Sequence, residues 1–414
     1  MTSAEQLTTA WTPRGAAWTE APRREALEAF ARTGFPTPRH EDWKYTSLAA
    51  LQRASLDLVA PAAAERVIPD LGLSRIVFVD GRLDVAATRL DRDARVRICG
   101  LTQAMEVARE RLFRLDDPTD APTSLNRAWF EDGLFLEVPR GVSLDAPIHV
   151  VSISTGAVAH PRDLIVLGDG ASARILHQHL GPDDRAYLVN RSAEVWVGRD
   201  ATLNLTEVVS EGSAAFHLAS MRVDQGTGST FSLRRFALSG GLTRLSLSTD
   251  LHEGATADVA GLSLAADQQV HDLHTLISHR APHGTSRESL RGVIANGGRA
   301  VFTGKVHVDP GAQRTSSEQS IRSLLLGDNA IANGRPQLEI HADDVKCSHG
   351  LAVGRLDPEA MFFLQSRGLS PADARQLLTW AFATAVVEDV DASVREPVAE
   401  WVQAALSKLT GVPR

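Results

Sequence analysis

Four turns decide the fold: Gly168-Asp-Gly-Ala-Ser-Ala173, Gly198-Arg-Asp-Ala-Thr-Leu203, Gln225-Gly-Thr-Gly-Ser-Thr230 and His252-Glu-Gly-Ala-Thr-Ala257. They recur roughly 26–30 residues apart, a spacing within the range of repeat architectures. Short alternating or β-branched runs lie between them, among them Leu164–Leu167, Ala193–Val197, Ala201–Val209 and Thr230–Phe236. A turn of constant chemistry between strands, repeated at this period, is what a solenoid requires, because one coil cannot bury its own apolar face and must stack on the next. Looser copies, Ala295-Asn-Gly-Gly-Arg-Ala300 and Asp309-Pro-Gly-Ala-Gln313, follow at an irregular and then a half-length interval. An antiparallel sandwich also shows many short strands. The recurrence of the turn itself, beyond mere strand spacing, favours the solenoid.

Outward from this core, assigned to 126–356, the sequence turns helical on both sides. In 1–125 we expect helices and short strands. Residues 1–70 read as helix and loop, with a helix beginning at Pro22 as its first residue and ended by Gly34. Glu41-Asp-Trp-Lys-Tyr-Thr46 forms a compact aromatic unit, and Ile76–Val79 followed by Asp80-Gly81 is a hairpin signal. In 357–414 three helices are marked: one capped by Asp357 before Pro358, one by Ser370 before Pro371 with Asp373 in the capping-box place, and one by Ser393 with Glu396. The second helix, 371–387, is apolar over so much of its circumference that something must cover it. The helices read equally as a lid on the solenoid or as a docking module.

Composition narrows the function. Of 414 residues 43% are hydrophobic and 23% charged, with a net charge of −8, a poor match to a nucleic-acid binder, which needs a basic face. The two cysteines, Cys99 and Cys347, lie far apart and neither belongs to a CxxC. A disulfide framework or a self-contained four-cysteine metal site is therefore not expected, and free thiols suit a reducing cytoplasm. No signal-peptide pattern or bilayer-length apolar run is present. The sequence contains no P-loop, GxSxG, HExxH or dinucleotide fingerprint.

The densest polar cluster is Glu339-Ile-His-Ala-Asp-Asp-Val-Lys-Cys-Ser-His-Gly350. On an extended strand Cys347 and His349 face one side and Lys346 the other. Thiolate and imidazole together suit iron or zinc, yet two ligands do not make a site, and a lone cysteine is more often a small buried hydrophobe. The same i, i+2 spacing occurs in His177-Gln-His179, and His271, His274, His279 and His283 crowd one region. For these, ordinary hydrogen-bonded structural roles are the stronger expectation.

The stretch Gln337–Gly350, continuing through Val353-Gly-Arg-Leu-Asp357 and Phe362-Phe-Leu-Gln-Ser-Arg-Gly368, together with Glu41–Thr46, resembles the SufB/SufD family of iron–sulfur cluster assembly scaffolds. The short chain and the absence of additional N-terminal cysteines are similar to the SufD branch. The resemblance implies a right-handed parallel β-helix with helical ends and no catalysis by the chain alone. It implies SufB as partner through the β-helix core and a SufC ATPase docked at 357–414. Iron or a nascent cluster would be held transiently at the SufB interface, with His349 as a ligand and Cys347 as a nearby thiol, and no cofactor in the isolated chain. Two other readings stay open. A polysaccharide-cleaving solenoid would need two acids at a set separation, whereas Asp343 and Asp344 are adjacent. A purely structural homodimer would carry no metal.

Overall fold

In a computed structural model, residues 2–59, 68–91, 93, 95 and 96–410 are described; Met1, 60–67, 92, 94 and 411–414 lie outside them. Part of the helical reading of 1–70, and the last residues of 357–414, therefore fall outside the description. The described residues build two sheets, of ten and nine strands, between which the chain alternates. From Ile148–Ile153 onward each coil gives one strand to each sheet, and every pairing between coils is parallel. Ser172 pairs with Thr202, Thr202 with Thr230, Thr230 with Thr256, Thr256 with Thr285, Thr285 with Ser316 and Ser316 with Lys346. The molecule is a β-solenoid of mainly β structure with helices toward both termini.

The repeated turn is one corner of every coil. The Gly198 amide donates to Leu167 O at 2.9 Å, the Gly226 amide to Val197 O at 2.8 Å and the His252 amide to Gln225 O at 3.1 Å, so the corners stack as regularly as the strands. A glycine inside the turn takes a left-handed backbone, with φ of 66° at Gly170, 69° at Gly228 and 66° at Gly254, which glycine adopts without a steric penalty. The irregular interval in the sequence now has a cause. Ala295–Ala300 turns the chain at the opposite corner, from strand Thr285–Ile294 to strand Arg299–Val308. The corner that continues the series is Arg280–Gly284, where His283 takes the left-handed position with φ 65°. The Asp309 turn belongs to the series, its amide donating to His279 O at 3.0 Å.

Inward-facing residues of both sheets, among them Ile76, Leu136, Val195, Leu205, Leu233, Leu247 and Val259, form one apolar column along the solenoid. Helices cover the outer faces. Helix Glu20–Thr33, ended by Gly34 at φ 62°, and helix Ala121–Trp129 join Leu188, Leu218 and Leu242 of the nine-stranded sheet. The first of these starts two residues before Pro22, which sits inside its first turn rather than opening it. The hairpin at Asp80-Gly81 forms between Arg75–Val79 and Arg82–Leu83. The compact unit Glu41–Thr46 docks on the same sheet: Arg244 lies 4.0 Å over the Trp43 ring, Thr46 Oγ1 donates to Asp272 Oδ2 at 2.5 Å, and Arg335 pairs with Glu41.

The C-terminal helices correct one expectation. Helices Pro371–Val387 and Arg395–Thr410 do not close the end of the solenoid. They lie on the outer face of the ten-stranded sheet, where Val386, Val387, Val398, Val402 and Leu406 pack with Leu176, Val208, Phe236, Leu262 and Val293. Ser370 caps the first of these by accepting from the Asp373 amide at 3.1 Å. Asp357 caps Pro358–Ser366 by accepting from the Glu359 amide at 2.9 Å. Ser393 is not a cap: its hydroxyl donates to Asp391, and the last helix begins at Arg395.

Candidate functional site

The solenoid ends differently at its two limits. One end of each sheet is finished by a short antiparallel strand, Arg82–Leu83 or Arg97–Gly100. At the other end the last strands, Ile331–Ile340 and Lys346–Gly354, have no further strand beside them among the described residues. Their exposed apolar side chains, Ile331, Ile340, Leu351 and Val353, border an open coil.

Cys347 and His349 stand on this last strand. Through the register, Cys347 continues the inward position occupied by Ala173, Leu203, Phe231, Ala257, Ser286 and Ser317. His349 continues Ile175, Leu205, Leu233, Val259, Glu288 and Gln319. Both therefore face the solenoid axis, on one side as their spacing required. His349 is exposed because no coil follows, and no hydrogen bond or ion pair engages its ring among the described residues. Cys347 is half-buried against the apolar cluster that includes Ala257, Val306 and Ala312, and burial raises its thiol pKa against a smaller lowering by a Ser317 backbone hydrogen bond. Such a thiol stays largely protonated until a metal or a partner's positive charge displaces the proton.

The column beneath His349 changes character toward the open end. Four apolar residues give way to buried Glu288 and Gln319. Glu288 accepts from Thr275 Oγ1 at 2.5 Å and from the Gln319 amide, and burial raises its pKa. Gln319 Oε1 is buried without a partner. The sequence alone did not single out these two residues, although stepping back by one coil from His349 reaches Gln319 and by two reaches Glu288. A further group also escaped notice as a unit. His307 Nδ1 and His341 Nε2 lie 3.5 and 3.3 Å from Glu339 Oε1, in partial exposure, with Lys305 on the same carboxylate. The Lys305 hydrogen bond, then that of His341, lowers the Glu339 pKa to about 2.

Other sequence candidates are dispersed. His271 is buried with Nε2 3.3 Å from Gly240 O, His274 faces Asp42, His279 is buried 2.9 Å from Ser286 Oγ, and His283 occupies a corner. His177 and His179 stack at 4.1 Å in the interior. Cys99 lies on Arg97–Gly100, in the other sheet and at the opposite limit from Cys347. Asp343 and Asp344 occupy an exposed corner rather than a strand.

Comparison with known proteins gives this arrangement its context. Residues 150–382 match the model of the SUF system FeS cluster assembly, SufBD core domain, and residues 8–150 match that of the SufBD protein N-terminal region. The chain belongs to the SufBD family. An iron–sulfur cluster assembly SufBD family protein of Synechocystis is 30% identical, over 89% of this chain and 86% of its own length. The SufD of Escherichia coli is 29% identical over 88% of each chain. The chloroplastic protein ABCI7 of Arabidopsis thaliana is 27% identical over 88% of this chain and 81% of its own. Membership of the SufBD family gives the chain a role in iron–sulfur cluster assembly, and no helix among the described residues is long and apolar enough to cross a membrane.

Proposed function

We propose that this chain is the SufD-type, non-catalytic subunit of a cytoplasmic assembly with SufB and a SufC ATPase, contributing His349 and Cys347 to the site where iron or a nascent cluster is held. The observation that carries the reading is the open last coil. It presents an imidazole and a thiol on one inward face, with strand edges unpaired among the described residues and apolar side chains around them. Two donors are too few for iron, and the open end is the place where a second chain would bring the rest. Iron here is cargo that passes through the interface. On this reading 1–125 and 357–414 flank a 126–356 core, and the ATPase docks at 357–414. The docking surface best supported is helix Pro358–Ser366, which buries none of its residues and leaves Phe362 73% and Phe363 56% exposed, a surface that marks a partner site.

The test is co-expression with the SufB and SufC of the same genome, for wild type and His349→Ala. The expected result is that both complexes co-purify and the wild type acquires an iron–sulfur chromophore. The variant complex should contain several-fold less iron. Normal loading of the variant would remove His349 from the site, and failure of anything to co-purify would overturn the partner model. The second reading, a homodimer in isolation, is favoured by the same open edges. Sedimentation of the chain alone decides it.

A further inference from the structure

Far from the open end, three interior side chains converge: His179 on strand Ser172–Leu180, His217 on strand Ala215–Gln225, and Glu211 in the corner between Thr202–Ser210 and Ala215–Gln225. One ligand atom from each lies within 4.8 Å of the other two. All three residues are at most 3% exposed. Five strand spacings separate Thr202–Ser210 from Lys346–Gly354, about 24 Å at the usual inter-strand distance, so this group cannot share an ion with His349.

The hydrogen-bond accounting in this cluster does not close. Glu207, a neighbour, is fully provided for: Arg191 Nη1 donates to its Oε1 at 2.7 Å and Arg235 pairs with its Oε2. Glu211 has no arginine or lysine partner among the described residues, and its Oε2 is buried without a hydrogen bond. Its Oε1 lies 3.2 Å from His217 Nδ1, yet that nitrogen has no aligned acceptor and His217 Nε2 has no partner either. His179 Nε2 lies 3.3 Å from the Glu207 carboxylate. An ionised carboxylate accepts, so Nε2 carries the proton and Nδ1 is a bare lone pair, and Nδ1 is the ring atom left buried without a partner.

A buried carboxylate without a counter-ion is costly, and so are unpaired imidazole nitrogens. One cation answers both. A carboxylate–histidine pair behind a ligating ring, here Glu207 behind His179, is the usual outer support of a metal-bound imidazole. We propose that His179, Glu211 and His217 form a resident site for a divalent transition ion of the Zn2+ or Fe2+ class, to which two imidazoles and a carboxylate are suited. The ion neutralises Glu211 and ties two successive coils together. Ser213 and Ala214, exposed in the same corner, place it one corner's thickness beneath the surface.

The experiment uses the full chain carrying His341→Ala and His349→Ala, stripped with chelator and titrated with Co2+ as a spectroscopic probe, then with Zn2+ during thermal unfolding. One equivalent of Co2+ should develop visible d–d bands that Zn2+ abolishes, and Zn2+ should raise the melting temperature. Adding Glu211→Gln, which keeps the shape and removes the charge, should eliminate the bands. It should also make the metal-free protein melt higher than its parent and leave it indifferent to Zn2+. His179→Gln provides a second variant should Glu211→Gln not fold. Absence of bands and of a melting shift in the parent overturns the site. Bands that survive both substitutions do so equally, because the ion then sits elsewhere.

Discussion

Gly198 opens its corner against the backbone of the previous coil, and a methyl group there would meet the Asp169 amide nitrogen at 2.7 Å. Gly168 and Gly226 stand in the same relation to the coils before them, at 2.6 Å from Arg140 N and 2.9 Å from Arg199 N. Gly198→Ala must push two coils apart, and a loss of about 1–3 kcal/mol in unfolding free energy is expected, as for overpacking of a close contact. Urea denaturation measures it, and an unchanged midpoint would show that the corners are looser than their hydrogen bonds imply. These glycines could be read from the sequence because their purpose is local. The buried ion pairs could not. Arg162 lies between Asp116 and Glu194 at 2.7 Å from each with no exposed surface, yet it looks in sequence like any surface arginine. Only the structure reveals that it projects from the outer face of the nine-stranded sheet into the layer beneath helix Ala121–Trp129, where Asn126 and Asp116 meet it. The Glu211 cluster was hidden for the same reason: its members are 38 residues apart at the extremes, and their unmet hydrogen bonds exist only in three dimensions.

Helices Pro371–Val387 and Arg395–Thr410 are part of the fold's apolar structure, whereas Pro358–Ser366 is not. Leu406 is 3% exposed within the cluster that joins the helices to the ten-stranded sheet, while Phe363 is 56% exposed. Leu406→Ala should therefore cost about 2–5 kcal/mol, and Phe363→Ser should leave stability within about 0.5 kcal/mol while weakening retention of the SufC ATPase. Equal effects of the two on unfolding would refute the division. Removing 357–414 altogether is a poor probe of docking, since it strips the cover from Leu176, Val208, Phe236, Leu262 and Val293. The caps at Asp357 and Ser370 were visible in the sequence because capping is written within four residues. Where the helices would lie was not, because an apolar helix face specifies burial without naming the surface that buries it. A signal did exist: strand residues such as Leu176, Val208 and Phe236 are apolar next to inward neighbours that are also buried, which marks a sheet covered on both sides.

At the scale of the whole molecule, the interior holds imidazoles that folding keeps neutral. Burial lowers His149, His271 and His279 to about 4 and His160 to about 3. An unfolded histidine takes up its proton near pH 6.5. Between that value and about 4 the unfolded chain binds more protons than the folded one, so stability is full above pH 7 and falls steadily as pH drops through this window. The melting temperature should be flat from pH 8 to 7 and decline toward pH 5. A flat profile over the whole range would mean that these rings already have charged-state partners. The direction of the solenoid has a separate consequence. A stack of parallel coils has a head and a tail, and among the described residues one limit is finished by reversed strands while the other is bare. Two chains of this fold that meet through their bare limits are related by a two-fold axis or its approximation, so their edge strands run in opposite senses and each uses up the other's free edge. Growth then stops at two, in a closed pair instead of a fibre. A pairing of that kind would have its stoichiometry set by which limit of the solenoid carries the free edges.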